Sequence, residues 1–103
     1  MEVLGLVDNC PGKYIFYCPG CKFCHAISTD PNSPITWGFN GDMEKPTFTP
    51  SILVTYPWGE PKTDRVCHSF IVDGVWQFLN DCTHELAGQH VPMVDWRTDE
   101  FDE

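Results

Sequence analysis

Apolar and polar positions alternate over short stretches of this chain, never over a sustained run of helical turns. Stretches rich in β-branched and aromatic residues occur at Tyr14 to Tyr17, Ile35 to Phe39, Ile52 to Tyr56, Val66 to Val72 and Val75 to Leu79. Such runs bounded by turn residues predict strands. Asp73-Gly74 is the strongest hairpin signal, because a type I′ turn takes both central residues at positive φ. Asn40-Gly41 marks a second turn. Glu44 to Pro50 is not expected to be a central strand, since each proline removes a ladder donor. Tyr56 to Asp64 reads as an exposed loop, and one short helix is expected near Thr83 to Ala87, stopped by Gly88. The fold class is therefore mostly β: a small antiparallel sheet or sandwich with one short helix.

The hairpin sets a register that matters for chemistry. With Val72 opposite Val75, Cys67 faces Asn80, and Cys67, Ser69, Ile71, Trp76, Phe78, Asn80 and Cys82 share one face. Cys67 and Cys82 then become diagonal neighbours at the open end of the hairpin. Upstream, Cys18-Pro19-Gly20-Cys21 follows a strand, the geometry of a zinc knuckle, in which a tight turn aims two sulfurs at one point. The two halves together predict one structural zinc ion held by Cys18, Cys21, Cys67 and Cys82, with His84 as the first substitute and Cys10 and Cys24 peripheral. Disulfides fit less well, because the chain reads as intracellular. A redox dithiol wants a helix N-terminus after the motif, and Pro31 and Pro34 follow instead. Adjacent His84-Glu85 does not match the His-x-Glu of zinc deaminases.

On the opposite face of the hairpin His68 and Asp81 are diagonal neighbours. With no nucleophile or oxyanion element identifiable beside them, His68 is read as a core residue bonded to Asp81 or to a backbone carbonyl. Trp37, Phe39, Phe48, Trp76 and Phe78 are expected in the core, while Trp58 and Trp96 are candidates for partner contact.

Composition narrows the partners. Six Lys+Arg against fifteen Asp+Glu give a net charge of −9 over 103 residues, which disfavours direct nucleic-acid binding. No apolar run approaches the ~20 residues of a membrane-spanning helix, so no membrane is expected. The last nine residues hold five acids and one arginine. The expected organisation is a single zinc-stapled β domain over 1–94 and an acidic tail over 95–103.

Several strings carry a resemblance: Trp37-Gly38-Phe39-Asn40-Gly41-Asp42, Lys45-Pro46-Thr47-Phe48-Thr49-Pro50-Ser51-Ile52, Cys67-His68-Ser69-Phe70-Ile71, and Asp81-Cys82-Thr83-His84-Glu85-Leu86-Ala87-Gly88-Gln89. Over about Tyr14 to Val94 the chain resembles a family of small phage and prophage domains of unknown function, some labelled "ammonia monooxygenase", a label these residues do not support. A more distant resemblance, on the cysteine cluster, Pro-Ser-Ile and a later Cys/His pair, is to bacterial proteins encoded beside ubiquitin-like conjugation genes. The first resemblance implies a phage-encoded zinc-binding accessory domain in the cytoplasm of a bacterial host. It would bind a host or phage protein, for instance as an inhibitor of a defence or nucleic-acid-binding protein. The alternative is a small metal-dependent hydrolase, with His25, His68 or His84 completing an open zinc site.

Overall fold

A computed structural model describes residues 2–59 and 63–97, apart from the side chain of Trp58. Eight strands form two antiparallel sheets. The smaller contains β1 (Gly5–Leu6), β2 (Lys13–Cys18) and β3 (Phe23–Ser28) in the order β1-β2-β3. The larger contains β4 (Gly38–Phe39), β5 (Phe48–Trp58), β6 (Thr63–Val72), β7 (Val75–Phe78) and β8 (His90–Pro92), also in chain order. The facing sides of the sheets share one core. Phe16 of β2 lies 5.9 Å from Phe48 of β5 and 5.5 Å from Trp76 of β7, centroid to centroid. Leu4, Ile27, Ile52, Ile71 and Phe78 are buried around them.

The β6–β7 hairpin is the one the sequence predicts. Asp73 and Gly74 have φ of 50° and 76°, Val72 pairs with Val75, and Ser69 pairs with Phe78. Alternation then sorts β6: Cys67, Ser69 and Ile71 are buried, whereas Phe70 and Val72 are exposed. A Cβ at Gly74 would come within 3.0 Å of Lys45 Cα, so glycine serves both the turn and the close approach of a neighbouring chain segment.

Elsewhere the sequence reading needs correction. Among the described residues there is no helix, and Thr83 to Ala87 is a series of turns. Pro50 lies within β5, between β4 and β6, where the register with β6 shifts between Phe48 and Ile52. That irregularity is what admits a proline, because no regular ladder bond is demanded there. Within the expected loop over Tyr56 to Asp64, residues 56–58 and 63–64 are strand: Tyr56 pairs with Arg65 and Pro57 with Asp64. Strand β3 is weakly marked in the sequence, because Cys24, His25 and Ala26 separate its only aromatic and β-branched residues, Phe23 and Ile27.

Trp96 rests on β1, where its ring occupies the space a Cβ at Gly5 would need. Asp95 and Arg97 form an ion pair at 3.0 Å. Residues 98–103, most of the expected acidic tail, lie outside the described residues, as does the side chain of Trp58.

Candidate active site and metal centre

Two clusters sit back to back on β6, because neighbouring residues of a strand face opposite sides of the sheet. His68 points outward and Cys67 inward.

On the outer face, His68 Nδ1 lies 2.9 Å from Asp81 Oδ2, and His68 Nε2 lies 3.2 Å from Ser51 Oγ. An ionised carboxylate only accepts, so Nδ1 carries the ring proton and Nε2 accepts from the Ser51 hydroxyl. The three residues come from β5, β6 and the loop after β7. Leu53 pairs directly with His68, so Ser51, two residues earlier on β5, shares their face. The His68 side chain is 26% exposed and that of Asp81 57%. The constellation is therefore open to solvent, and His68 is not the core residue the sequence suggested. Of the four serines in the chain, Ser69 is fully buried and Ser28 bonds Ser33. Ser51 is the one joined to a histidine.

The backbone of His68 is held from behind. Its N–H donates to Cys82 Sγ and the Cys82 thiol donates to its C=O, both at 3.2 Å. Leu79 N–H reaches the same carbonyl at 2.9 Å. Burial pushes the Cys82 thiol up, preserving the proton that its donated bond requires.

On the inner side, Cys18, Cys21, Cys67 and His84 bring four ligand atoms within 4.8 Å of one another. This cluster could hold one metal ion. Cys18 ends β2, Cys21 lies in the β2–β3 turn, Cys67 is on β6, and His84 is in the loop after β7, so the cluster bridges the two sheets. Lys22 N–H closes the turn on Cys18 C=O at 2.8 Å, and Cys21 N–H points at Cys18 Sγ at 3.4 Å. The Cys18 and Cys67 sulfurs are 3.9 Å apart, against about 3.8 Å for the edge of a tetrahedron with zinc–sulfur bonds of about 2.3 Å.

The residues fit a cation on three further observations. Crowded thiols resist ionising together: hydrogen bonding with Cys21 pushes Cys18 up to about 12. Hydrogen bonding with Cys18 pulls Cys21 well below the ordinary thiol range and pushes Cys67 far above it. A divalent cation would replace the protons the sulfurs otherwise share. Burial holds His84 below its ordinary range; its Nδ1 accepts from Leu86 N–H at 3.2 Å, and its Nε2, buried without a hydrogen-bond partner, is the ring nitrogen that a cation could take in place of a proton. Finally, a Cβ at Gly20 would collide with the His84 imidazole, so the knuckle glycine makes the cradle in which that ring sits.

Three of the four expected ligands are thus brought together, and the fourth position is taken by His84. Cys82 lies outside the cluster for a local reason. The chain turns after β7, where Cys82 N–H bonds Leu79 C=O at 3.2 Å, and Thr83 N–H rejoins β6 at Val66 C=O at 2.9 Å. Extrapolating the hairpin register past Leu79 misses this turn, which folds Cys82 behind His68. His25 is buried edge-on against Phe23, with centroids 5.3 Å apart. Cys10 and Cys24 are exposed. Metal stoichiometry separates the two candidates for the fourth ligand: Cys82→Ser is expected to retain one metal per chain, and His84→Ala to lose it.

An all-β scaffold presenting Ser–His–Asp on one face of a sheet has the residue types and contacts of a serine hydrolase site. The family model of the bacterial ubiquitination-like system serine protease (BubE) matches residues 3–79, about three quarters of the chain. The chain belongs to the BubE family. Ser51 and His68 fall within the match, and Asp81 and His84 lie just beyond it. No curated protein and no solved structure matched the chain.

This membership overturns the assignment to the phage and prophage family, and with it the phage-encoded accessory domain, the inhibitor role and the metal-dependent hydrolase alternative. The residue that sequence reasoning missed is Ser51. It lies seventeen positions from His68, and only the β5–β6 register and the irregularity at Pro50 bring the two together. The one signal available was the Pro-Ser-Ile string, which belonged to the more distant of the two resemblances.

Proposed function

We propose that this chain is a serine peptidase of a bacterial ubiquitination-like system, with Ser51 as nucleophile, His68 as general base and acid, and Asp81 as the group that orients His68. The observation that carries this reading is the pair of contacts made by His68, 2.9 Å to Asp81 and 3.2 Å to Ser51. Ser51 Oγ attacks the scissile carbonyl as its proton passes to His68 Nε2. Asp81 holds the ring in the required tautomer and stabilises the imidazolium. His68 then returns the proton to the leaving amine, and a water activated by the same imidazole releases the acyl group from Ser51.

The substrate class follows from the family description: a peptide or isopeptide bond at the C-terminal segment of a ubiquitin-like protein. The protein partner is then the substrate, and a net charge of −9 speaks against direct nucleic-acid binding.

Cys18, Cys21, Cys67 and His84 would hold one zinc ion. With four protein ligands that ion would be structural, contributing fold stability and not a bound nucleophile. Its place in the design is to tie Cys67 and His84, and through them the backbone of β6 and of the loop that carries Asp81, to the knuckle of the other sheet.

The test is hydrolysis of a ubiquitin-like protein from the same type of system, extended at its C-terminus and followed by mass. The expected outcome is release of the extension by the wild type. Asp81→Asn should lower kcat by about four orders of magnitude while retaining its metal. Undiminished cleavage by Asp81→Asn, or none by the wild type, would sink the assignment.

A further inference from the structure

Strand β4 pairs with β5 only at Phe48 and Thr49. Beyond Thr49, β5 has β6 on one side and, among the described residues, no strand on the other. The direction of the backbone groups along that free edge can be worked out. His68 sends its N–H and C=O towards Cys82 and Leu79, on the β7 side. Its cross-strand partner is Leu53, so this is a pair that exchanges no ladder bonds, and Leu53 turns its own N–H and C=O the other way. Thr55, two residues on, does the same. Ser51 fits the pattern, since its C=O accepts from Trp37 Nε1 at 3.2 Å, on that same side.

The free edge is short and bracketed by Pro50 and Pro57, which carry no N–H and so limit how far an added strand could extend. It also lacks the charged residue with which exposed edges are commonly guarded. Among the described residues, five large hydrophobic side chains are exposed, and Leu53, Phe70 and Val72 lie on the face that carries Ser51 and His68. Leu53 is the most exposed of these three, at 57%. It stands between the nucleophile and the free end of the strand.

We infer that the free edge of β5 is the substrate cleft, where an extended peptide segment adds as a strand through Leu53 and Thr55 and seats a large apolar side chain on Leu53. This rests on Ser51 being the nucleophile and specifies what is presented to it. Backbone bonds to Leu53 and Thr55 hold the peptide parallel to the sheet plane, one strand spacing of about 4.8 Å from β5. That places a peptide carbonyl alongside the outer-face Ser51 hydroxyl. Main-chain pairing supplies affinity, and the side chains on the outer face supply selectivity. The substrate bond is therefore expected in an extended, unpaired tail or linker, because a residue within a helix or a strand paired on both sides has no free backbone groups to offer.

The experiment uses internally quenched octapeptides, varied one position at a time, with the full-length protein, and a fluorophosphonate probe to report whether Ser51 is reactive. The expected result is an approximately tenfold preference for Leu, Phe or Met over Ser at one position within two residues of the cleaved bond. That preference should shrink to about unity in Leu53→Ser. Methylating the peptide nitrogens that pair with Leu53 and Thr55 should suppress cleavage by the unmodified protein, a readout that needs no variant to fold. A Ser51 that is labelled by the probe, combined with no positional preference, with a preference unchanged in Leu53→Ser, or with no cleavage of any octapeptide, would overturn the cleft and leave the nucleophile standing. A Ser51 that is not labelled would overturn both.

Discussion

Ser51→Ala is expected to abolish hydrolysis, lowering kcat by about six orders of magnitude, with metal content unchanged and the unfolding midpoint nearly so. The size follows from the step removed: without Oγ there is no acyl-enzyme, and only binding and positioning remain. The fold should not notice. Ser51 contributes one hydroxyl to a part-exposed contact at 3.2 Å, worth about 1 kcal/mol at most as a neutral hydrogen bond. Steady-state hydrolysis and a denaturant melt on the same preparation check both halves. A variant that is inactive because it is unfolded would show in the melt, and one that remains active would remove Ser51 from the chemistry.

The second large effect concerns the metal. Cys18→Ser, or exhaustive chelation of the wild type, is expected to unfold the domain and to silence Ser51 with it. The cluster draws on β2 and its turn, on β6 and on the loop after β7, so an ion held there would tie the two sheets together at this end of the sandwich. Metal binding in small structural zinc sites is worth on the order of 10 kcal/mol, comparable with the whole net stability of a domain, about 5 to 15 kcal/mol. Its removal also leaves Cys18, Cys67 and a buried His84 nitrogen without the partner they converge on. The measurement is near-ultraviolet circular dichroism, which reports the packing of Trp76 and its neighbours, before and after chelation and again after one equivalent of zinc. Loss and recovery of the signal together with hydrolysis is the expected result. A chelated protein that keeps both would mean that the sheets hold without the staple.

Much of the scaffold was legible in the sequence because it is local. The Asp73-Gly74 turn fixes its own register, and alternation from that turn placed Cys67, Ser69 and Ile71 on one face and His68 and Phe70 on the other, although His68 was expected in the core. The Cys18 to Cys21 knuckle is equally local, a turn of four residues after a strand. What escaped depends on longer connections. The hairpin register holds as far as Leu79 and then fails at a turn, which exchanges Cys82 for His84 beside Cys67. Ser51 escaped because its neighbour His68 is set by pairing between β5 and β6, strands whose connecting segment read as loop and whose irregularity at Pro50 read as a break. Phe23 to Ser28 escaped because only Phe23 and Ile27 in it are of the β-branched or aromatic kind that marks the other strands. For Cys82 and Ser51 side-chain identity was readable, and the missing quantity was the path of the backbone between two distant segments.

The same backbone path explains why one strand carries both clusters. Cys67 and His68 are consecutive, so an ion held by the cluster would fix the inner face of β6 at the point where the outer face carries the imidazole. Cys82, which lies outside the cluster, closes the arrangement by gripping the His68 backbone at 3.2 Å from both its N–H and its C=O.

The central claim is that His68, aligned by Asp81, makes Ser51 a nucleophile. Its most direct measurement is the site of covalent modification by a fluorophosphonate probe, read by peptide mapping on the metal-loaded protein. The account predicts a single adduct on Ser51 in the wild type and none in His68→Ala. An adduct on Ser28, Ser33 or Ser69, or equal labelling of Ser51 without His68, would contradict it.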